Sequence, residues 1–335
     1  MTVAVEHGIA SQAVLDVRDL RVEIAPARRV AFEPVRGISF AVRRGQRLGI
    51  VGESGSGKSI TALSLMRLLP STARIVGGEV HLGARDLADL SEREMTRVRG
   101  GEMSIVYQDP MSSLNPLQTV GHQVVEAIRS HRNVSRGEAR DRAIELLRDV
   151  GLPQPERRVD NYPHEFSGGM RQRIMIAMAI CADPAVLIAD EPTTALDVTT
   201  QARIMDMLSE IVERLRMGVI LITHDLGLAS SFCDDINVMY AGRIVESGPA
   251  SSVLLRPAHP YSEALLESIC GLERDVNHPI AAIAGQPPLP QELPSGCPFH
   301  PRCAHAQSVC AQESPPRVKV AGHRVECFFP IGAST

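Results

Sequence analysis

The sequence predicts an α/β protein, a parallel β-sheet with helices on its faces. Three observations carry that expectation. Strand-like runs alternate with helix-like runs over most of the chain. One buried strand, "QRLGIV" (46–51), enters a glycine-rich turn that opens directly into a helical run. Another, "AVLIAD" (185–190), is apolar until it ends in carboxylates, as a strand does at the ligand edge of an open sheet.

Taken in order, "VLDVRDLRVEI" (14–24) alternates apolar and polar with period two, as a half-buried strand does. "GISFAV" (37–42) reads as a second strand, and "GGEVHL" (77–82) and "MSIVYQ" (103–108) as further ones. "SITALSLMRLLP", after the glycine-rich turn, has helical spacing and stops at Pro70. From Asp109 to about Asn161 the pattern changes to apolar residues three and four apart with charge between them, in "VGHQVVEAIRSH" and "RGEARDRAIELLRDVGL". These are amphipathic helices, and the stretch reads as a helical insertion. Strand-like runs return at 185–190, 218–224 and 236–242, with a long helix at roughly 200–216. After about Gly248 the chain turns proline-rich and leads into a tail holding four of its seven cysteines.

Composition excludes several classes. A net charge of −4 with only 3% aromatic residues argues against broad binding to nucleic acid. The longest apolar run, Ile174–Ala182, is about half of the ~20 residues a membrane span needs. "MTVAVEHGIASQ" has no basic segment followed by an apolar one, so a cytoplasmic chain is expected, in which clustered thiols serve metals more often than disulfides.

"GESGSGKS" (Gly52–Ser59) matches G-x-x-x-x-G-K-[ST] in the strand–turn–helix context its mechanism requires. Glycines let backbone N–H groups turn inward on phosphate oxygens, and the helix start adds its dipole. The candidate cradle is Gly52, Glu53, Ser54, Gly55, Ser56, Gly57, Lys58, Ser59 and Ile60. In it Lys58 is expected to reach the β- and γ-phosphates and Ser59 to bind Mg²⁺. Asp190 is suited to the Mg²⁺ shell and Glu191 to activate water, although alone the pair also reads as a solvated helix start. Gln108, His224 and Asp197 sit at or near strand ends, where single polar residues also serve as caps. "FSGGMRQR" (166–173) makes a second helix start with an open face. It is either a cap at Ser167 or a γ-phosphate site for ATP held by another subunit.

These pieces together resemble the ATP-binding subunits of ABC transporters, and most of all the oligopeptide/dipeptide (peptide/nickel) importer family. The resemblance rests on "GIVGESGSGKS", "VYQDPMSSLNP", "EFSGGMRQR", "LIADEPTTALDVTTQ", "LITHDLGL" and "HPYSEALL". It implies a P-loop NTPase (RecA-like) core sheet with an antiparallel β subdomain, a helical subdomain at about 109–165, and a C-terminal extension. The implied boundaries are a tail at 1–13, a nucleotide-binding domain at 14–250 and an extension at 251–335. It implies that Gly52, Gly55, Gly57, Lys58 and Ser59 hold the triphosphate. Gln108 would contact Mg²⁺, Asp190 serve Mg²⁺, Glu191 activate water and His224 meet the γ-phosphate. Ser167, Gly168 and Gly169 would contact ATP across a dimer interface, with Asp197 communicating across it. The implied partners are two transmembrane permeases, a second, paralogous ATPase in a head-to-tail dimer and, indirectly, a substrate-binding protein. The implied place is the cytoplasmic face of the inner membrane, with the chain peripheral to it. One departure is Ile24, where relatives place the aromatic ring that stacks on adenine; Phe32 is the ring nearby.

The tail spacing is Cys297-x₅-Cys303-x₆-Cys310-x₁₆-Cys327. Four thiolates suit a [4Fe–4S] cluster or Zn²⁺, and the resemblance favours the cluster; four free thiols are the plain alternative. His300, His305 and His323 are further ligand candidates, whereas Cys181, Cys233 and Cys270 read as packing residues. The leading expectation is thus an ATPase driving import of peptides or a similar solute. Its rivals are a soluble ABC ATPase of iron–sulfur assembly or a similar role, and a nucleotide-binding regulator without turnover, against which Glu191 speaks.

Overall fold

A computed structural model describes residues 13–27, 30–109, 113–194, 196–268 and 283–332. The expected N-terminal tail apart from Ala13, residues 110–112 of "DPMSSLNP", Ala195 of "TTALD" and Cys270 lie outside the described residues.

The strands are β1 Ala13–Ile24, β2 Phe32–Arg43, β3 Arg47–Val51, β4 Ala73–Leu82, β5 Arg85–Asp86, β6 Met103–Val106, β7 Val186–Asp190, β8 Gly218–Thr223, β9 Asp235–Tyr240, β10 Arg243–Pro249, β11 Arg317–Val320 and β12 His323–Glu326. The helices are α1 Lys58–Leu65, α2 Glu92–Val98, α3 Val120–His131, α4 Arg136–Asp149, α5 Pro155–Arg158, α6 Gly168–Ile180, α7 Val198–Leu215, α8 Leu226–Phe232, α9 Ala250–Leu255, α10 Pro260–Glu267 and α11 Ser308–Gln312.

The described residues divide into two compact units. The first takes in those up to Leu15, with Ala41–Gln46 and His81–Leu221; the second takes in Asp16–Phe40, Arg47–Val80 and those from Ile222 onward. In the first unit β6 and β7 pair in parallel, Met103 opposite Val186 through Val106 opposite Ala189. Val186, Leu187 and Ile188 of β7 and Val219, Ile220 and Leu221 of β8 are wholly buried, with Ile174 of α6. The expected helical insertion is present as α3, α4 and α5. Thr119 caps α3, and Ser135 and Glu138 form a capping box on α4. Gly121 is required where α3 starts, because a Cβ there would lie 2.3 Å from Val159 Cγ2 and 2.6 Å from the Val159 carbonyl oxygen.

In the second unit β3 pairs in parallel with β9, and β10 returns antiparallel along β9. The C-terminal strands then extend this sheet: β12 pairs antiparallel with β10, and β11 with β12. The sequence pattern misses these last three strands. β10 ends in Gly248 and Pro249, and β11 and β12 are four residues each with charged side chains. Pairing with neighbours, not local propensity, holds them extended. The same unit carries β2, β1 and β4 side by side in that order over most of their length.

Candidate functional site

The glycine-rich turn is built by squeezing. β3 brings the chain to Gly52, at φ 151°, where a Cβ would sit 2.1 Å from the Met239 carbonyl oxygen on β9. At Gly57, φ 105°, a Cβ would lie 2.3 Å from the Pro34 carbonyl oxygen of β2. Only glycine fits either place. Lys58, the first residue of α1, folds its ammonium back over the loop, donating to the carbonyls of Gly52 at 2.8 Å and Glu53 at 2.9 Å. Among the described residues the Ser56 hydroxyl is buried without a hydrogen-bond partner, and Gly55 faces open space. Ordered N–H groups at a helix start, an ammonium and an orphaned buried hydroxyl suit phosphate oxygens. His224, exposed just after β8, belongs to the same unit.

The other residues predicted for the nucleotide site lie in the first unit. Parallel pairing of β6 and β7 ends both strands at one edge, and this is what brings Gln108 to Glu191. Gln108 Nε2 donates to Glu191 Oε2 at 3.0 Å, and Thr194 Oγ1 donates to the same oxygen at 3.0 Å. Glu191 has φ 47°, a backbone conformation uncommon outside glycine and favoured at functional sites. Asp190, its neighbour, is only 8% exposed, so its carboxylate is a buried oxygen donor fit for a hard cation.

Ser167 caps α6, accepting from Met170 N at 3.4 Å, and Asp197 caps α7, accepting from Thr200 N at 3.0 Å. The two helix starts touch. A Cβ on Gly169 would lie 2.6 Å from Thr200 Cγ2, and one on Gly168 would lie 3.4 Å from Leu196 Cδ2. The cap role of Ser167 is therefore realised, on a helix start that packs against the Asp197 turn.

In the tail, Cys297, Cys303, Cys310 and Cys327 line one cavity, walled by Phe299 and Phe328. Burial pushes the Cys297, Cys303 and Cys327 thiols up, Cys327 to about 11, and mutual repulsion adds to the shift. Yet no group of three or more His, Cys, Asp or Glu side chains among the described residues stands as a metal site, so the expected cluster has no preformed ligand set here. His323 is not a ligand to it. That ring is wholly buried, and its Nδ1 lies 2.8 Å from Glu246 Oε1. Cys181 and Cys233 are buried, as packing residues are, with thiols pushed up to about 11 and about 12.

Sequence reasoning missed one part of the cradle. Glu53, inside the loop, is held by Arg302 and Tyr261, both from beyond residue 250. The sequence signal was slight: Tyr261 lies in "HPYSEALL" and Arg302 between Cys297 and Cys303, and neither residue had a role of its own.

Comparison with known proteins agrees with this geometry. Residues 35–194 match the family model described as ABC transporter, and residues 245–310 match the oligopeptide/dipeptide transporter C-terminal region. A probable peptide ABC transporter ATP-binding protein of Sinorhizobium fredii is 48% identical over 94% of each chain. The oligopeptide transport ATP-binding protein OppD of Escherichia coli is 45% identical over 96% of this chain and 94% of its own. Among solved structures, the ATP-binding cassette MJ0796, dimeric in a post-hydrolysis state with ADP and Pi, superposes with a TM-score of 0.63 at 28% identity, covering 70% of this chain and 98% of its own. The cbiO1 subunit of Clostridium perfringens gives 0.63 at 26% identity, over 73% and 92%. The chain belongs to the ATP-binding subunits of ABC transporters, in the oligopeptide/dipeptide transporter family.

Proposed function

We propose that the chain is the ATP-hydrolysing subunit of an importer for peptides or a similar small solute, and not a soluble ABC ATPase of another role. The observation that carries the hydrolytic part is the Glu191 carboxylate, held at the end of buried β7 by Gln108 and Thr194. Relatives named for peptide transport, alike over nearly the whole length, support the importer part.

In this reading residues 14–250 form the cassette and 251–335 the extension. Residues 52–60 wrap the triphosphate, and Lys58 offsets charge on its β- and γ-phosphates. Glu191, its rotamer fixed by two hydrogen bonds to one oxygen, orients the attacking water and takes its proton. Mg²⁺ would be held by Ser59 in one unit and by Gln108 and Asp190 in the other, and when bound would supply charge neutralisation at the phosphoryl group. His224 contacts the γ-phosphate. Ser167, Gly168 and Gly169 meet ATP held by a second, paralogous ATPase, and the Asp197 turn beside them senses it. Two permeases receive the motion at the cytoplasmic face of the membrane, and a substrate-binding protein delivers cargo to them. Among the described residues no helix is long and apolar enough to cross a membrane.

Replacing Lys58→Ala tests this directly. Losing a charged donor costs about 1.5–3 kcal/mol, so MgATP binding by equilibrium dialysis is expected to weaken at least about tenfold. Parent-like binding overturns the assignment.

We infer that a [4Fe–4S] cluster would assemble its ligand set from the four thiols on one cavity only as it binds, with Zn²⁺ the lesser fit because the tail lacks cysteines paired two to four residues apart. A cluster would fix a segment poor in apolar residues. Chain purified without oxygen is expected to absorb in the visible and to lose the band on Cys303→Ser; colourless protein holding stoichiometric zinc rejects the cluster.

A further inference from the structure

The extension grips the phosphate loop at Glu53. Arg302 sends two parallel hydrogen bonds to the Glu53 carboxylate, Nη1 to Oε2 at 2.7 Å and Nη2 to Oε1 at 3.0 Å. The Tyr261 hydroxyl accepts from the Glu53 backbone N–H at 2.8 Å. Both the side chain and the peptide of Glu53 are therefore fixed from outside the loop.

The grip is itself well founded. Arg302 is only 5% exposed at its side chain. It donates further to the Ala284 carbonyl at 2.9 Å and to the Tyr240 hydroxyl at 3.3 Å. Its guanidinium lies 5.9 Å from the ring centre of Tyr240 and 6.0 Å from that of Phe299. Tyr240, Tyr261 and Phe299 are wholly buried and pack on one another at 4.5–5.3 Å between ring centres. A chain with four tyrosines and seven phenylalanines thus spends three of them under one loop. Arg302 projects from the turn His300–Arg302, closed by backbone bonds from His300 N to Cys297 O at 3.0 Å and from Cys303 N to His300 O at 3.3 Å. Two of the cavity's cysteines bracket it.

What Glu53 does explains why the grip matters. Its carbonyl and that of Gly52 receive the Lys58 ammonium. Glu53 also stands between glycines at φ 151° and 81°, Gly52 and Gly55, where the backbone has least stiffness of its own. A turn of the Glu53 peptide moves the acceptors that aim Lys58. A part-buried bidentate pair opposes it.

We propose that Arg302, assisted by Tyr261, is a positioning residue that holds the phosphate loop in its nucleotide-ready shape through Glu53, so that the cysteine-bearing extension sets the affinity of the cassette for the triphosphate. The inference rests on the ATP-binding reading above.

The test uses the full chain, with MgATP binding and ATPase KM and kcat measured side by side for the parent, Arg302→Ala, Arg302→Lys, Tyr261→Phe and Lys58→Ala. Arg302→Ala is expected to raise Kd and KM about tenfold, the worth of a charged hydrogen-bonded pair, while kcat at saturating nucleotide stays within about twofold. Arg302→Lys, which keeps the charge but loses the fork, should recover part of the affinity. Tyr261→Phe, nearly isosteric and folded on that account, removes one neutral bond and should raise KM about threefold. Parent values of KM in both Arg302→Lys and Tyr261→Phe, or a fall in kcat with KM unchanged, overturn the inference even where Arg302→Ala fails to fold. Lys58→Ala separates the two levels. If it loses binding while the other variants do not, this inference alone fails; if it binds as the parent does, the nucleotide reading fails with it.

Discussion

Glu191→Gln protein is expected to hydrolyse ATP roughly 10²–10⁴-fold more slowly than the parent, the usual worth of a general base, while binding MgATP with unchanged affinity. The reason lies in what the substitution keeps. Glutamine retains an oxygen able to accept from Gln108 Nε2 and Thr194 Oγ1, so the side chain stays where those two bonds hold it. The left-handed backbone at φ 47° is a property of the turn after β7 and is unaffected by the change. Only the capacity to take a proton is lost. Phosphate release at saturating ATP, with binding measured in parallel, checks the split. Turnover near the parent rate would remove Glu191 from its role.

The second large effect is on stability. Glu246, on β10, is wholly buried, and its carboxylate accepts from Ala258 N at 2.8 Å and His259 N at 3.0 Å, with His323 Nδ1 at 2.8 Å. One side chain thus ties β10 to the start of α10 and to β12. The residues it orders are next to His259, whose imidazole burial pushes down to about 4 and whose Nδ1 accepts from Tyr261 N at 3.0 Å. Glu246→Ala strands two N–H groups and a ring nitrogen in a dry interior, and is expected to cost about 3–5 kcal/mol. Urea unfolding followed by circular dichroism measures it. A loss under about 1 kcal/mol would mean that water or a neighbour takes over the three contacts.

Much of this was legible in the sequence because chemistry and spacing coincide there. Glycines at 52, 55 and 57 are dictated by φ and by close backbone approach, so the loop announces itself. Val120–His131 shows as a helix through its apolar period. What stayed hidden depends on partners far along the chain. Arg302 reaches Glu53 across 249 positions, and no local pattern marks an arginine for that task. β11 and β12 exist because β10 offers an edge. The Gln108–Glu191 bond follows from parallel register, which period-two alternation does not encode. In the other direction, cysteine spacing suggested a ligand set more complete than the described side chains form.

The way β12 lies along β10 has a bearing on how the protein is made. Until residues 323–326 leave the ribosome, β10 has no neighbour on its outer side within the second unit. An unpaired edge of that kind is sticky toward other nascent chains. Strands β11 and β12 therefore act as a seal fitted after β10 is made, and a messenger cut short of them would yield a polypeptide that holds the nucleotide-loop glycines yet carries an open flank for self-association.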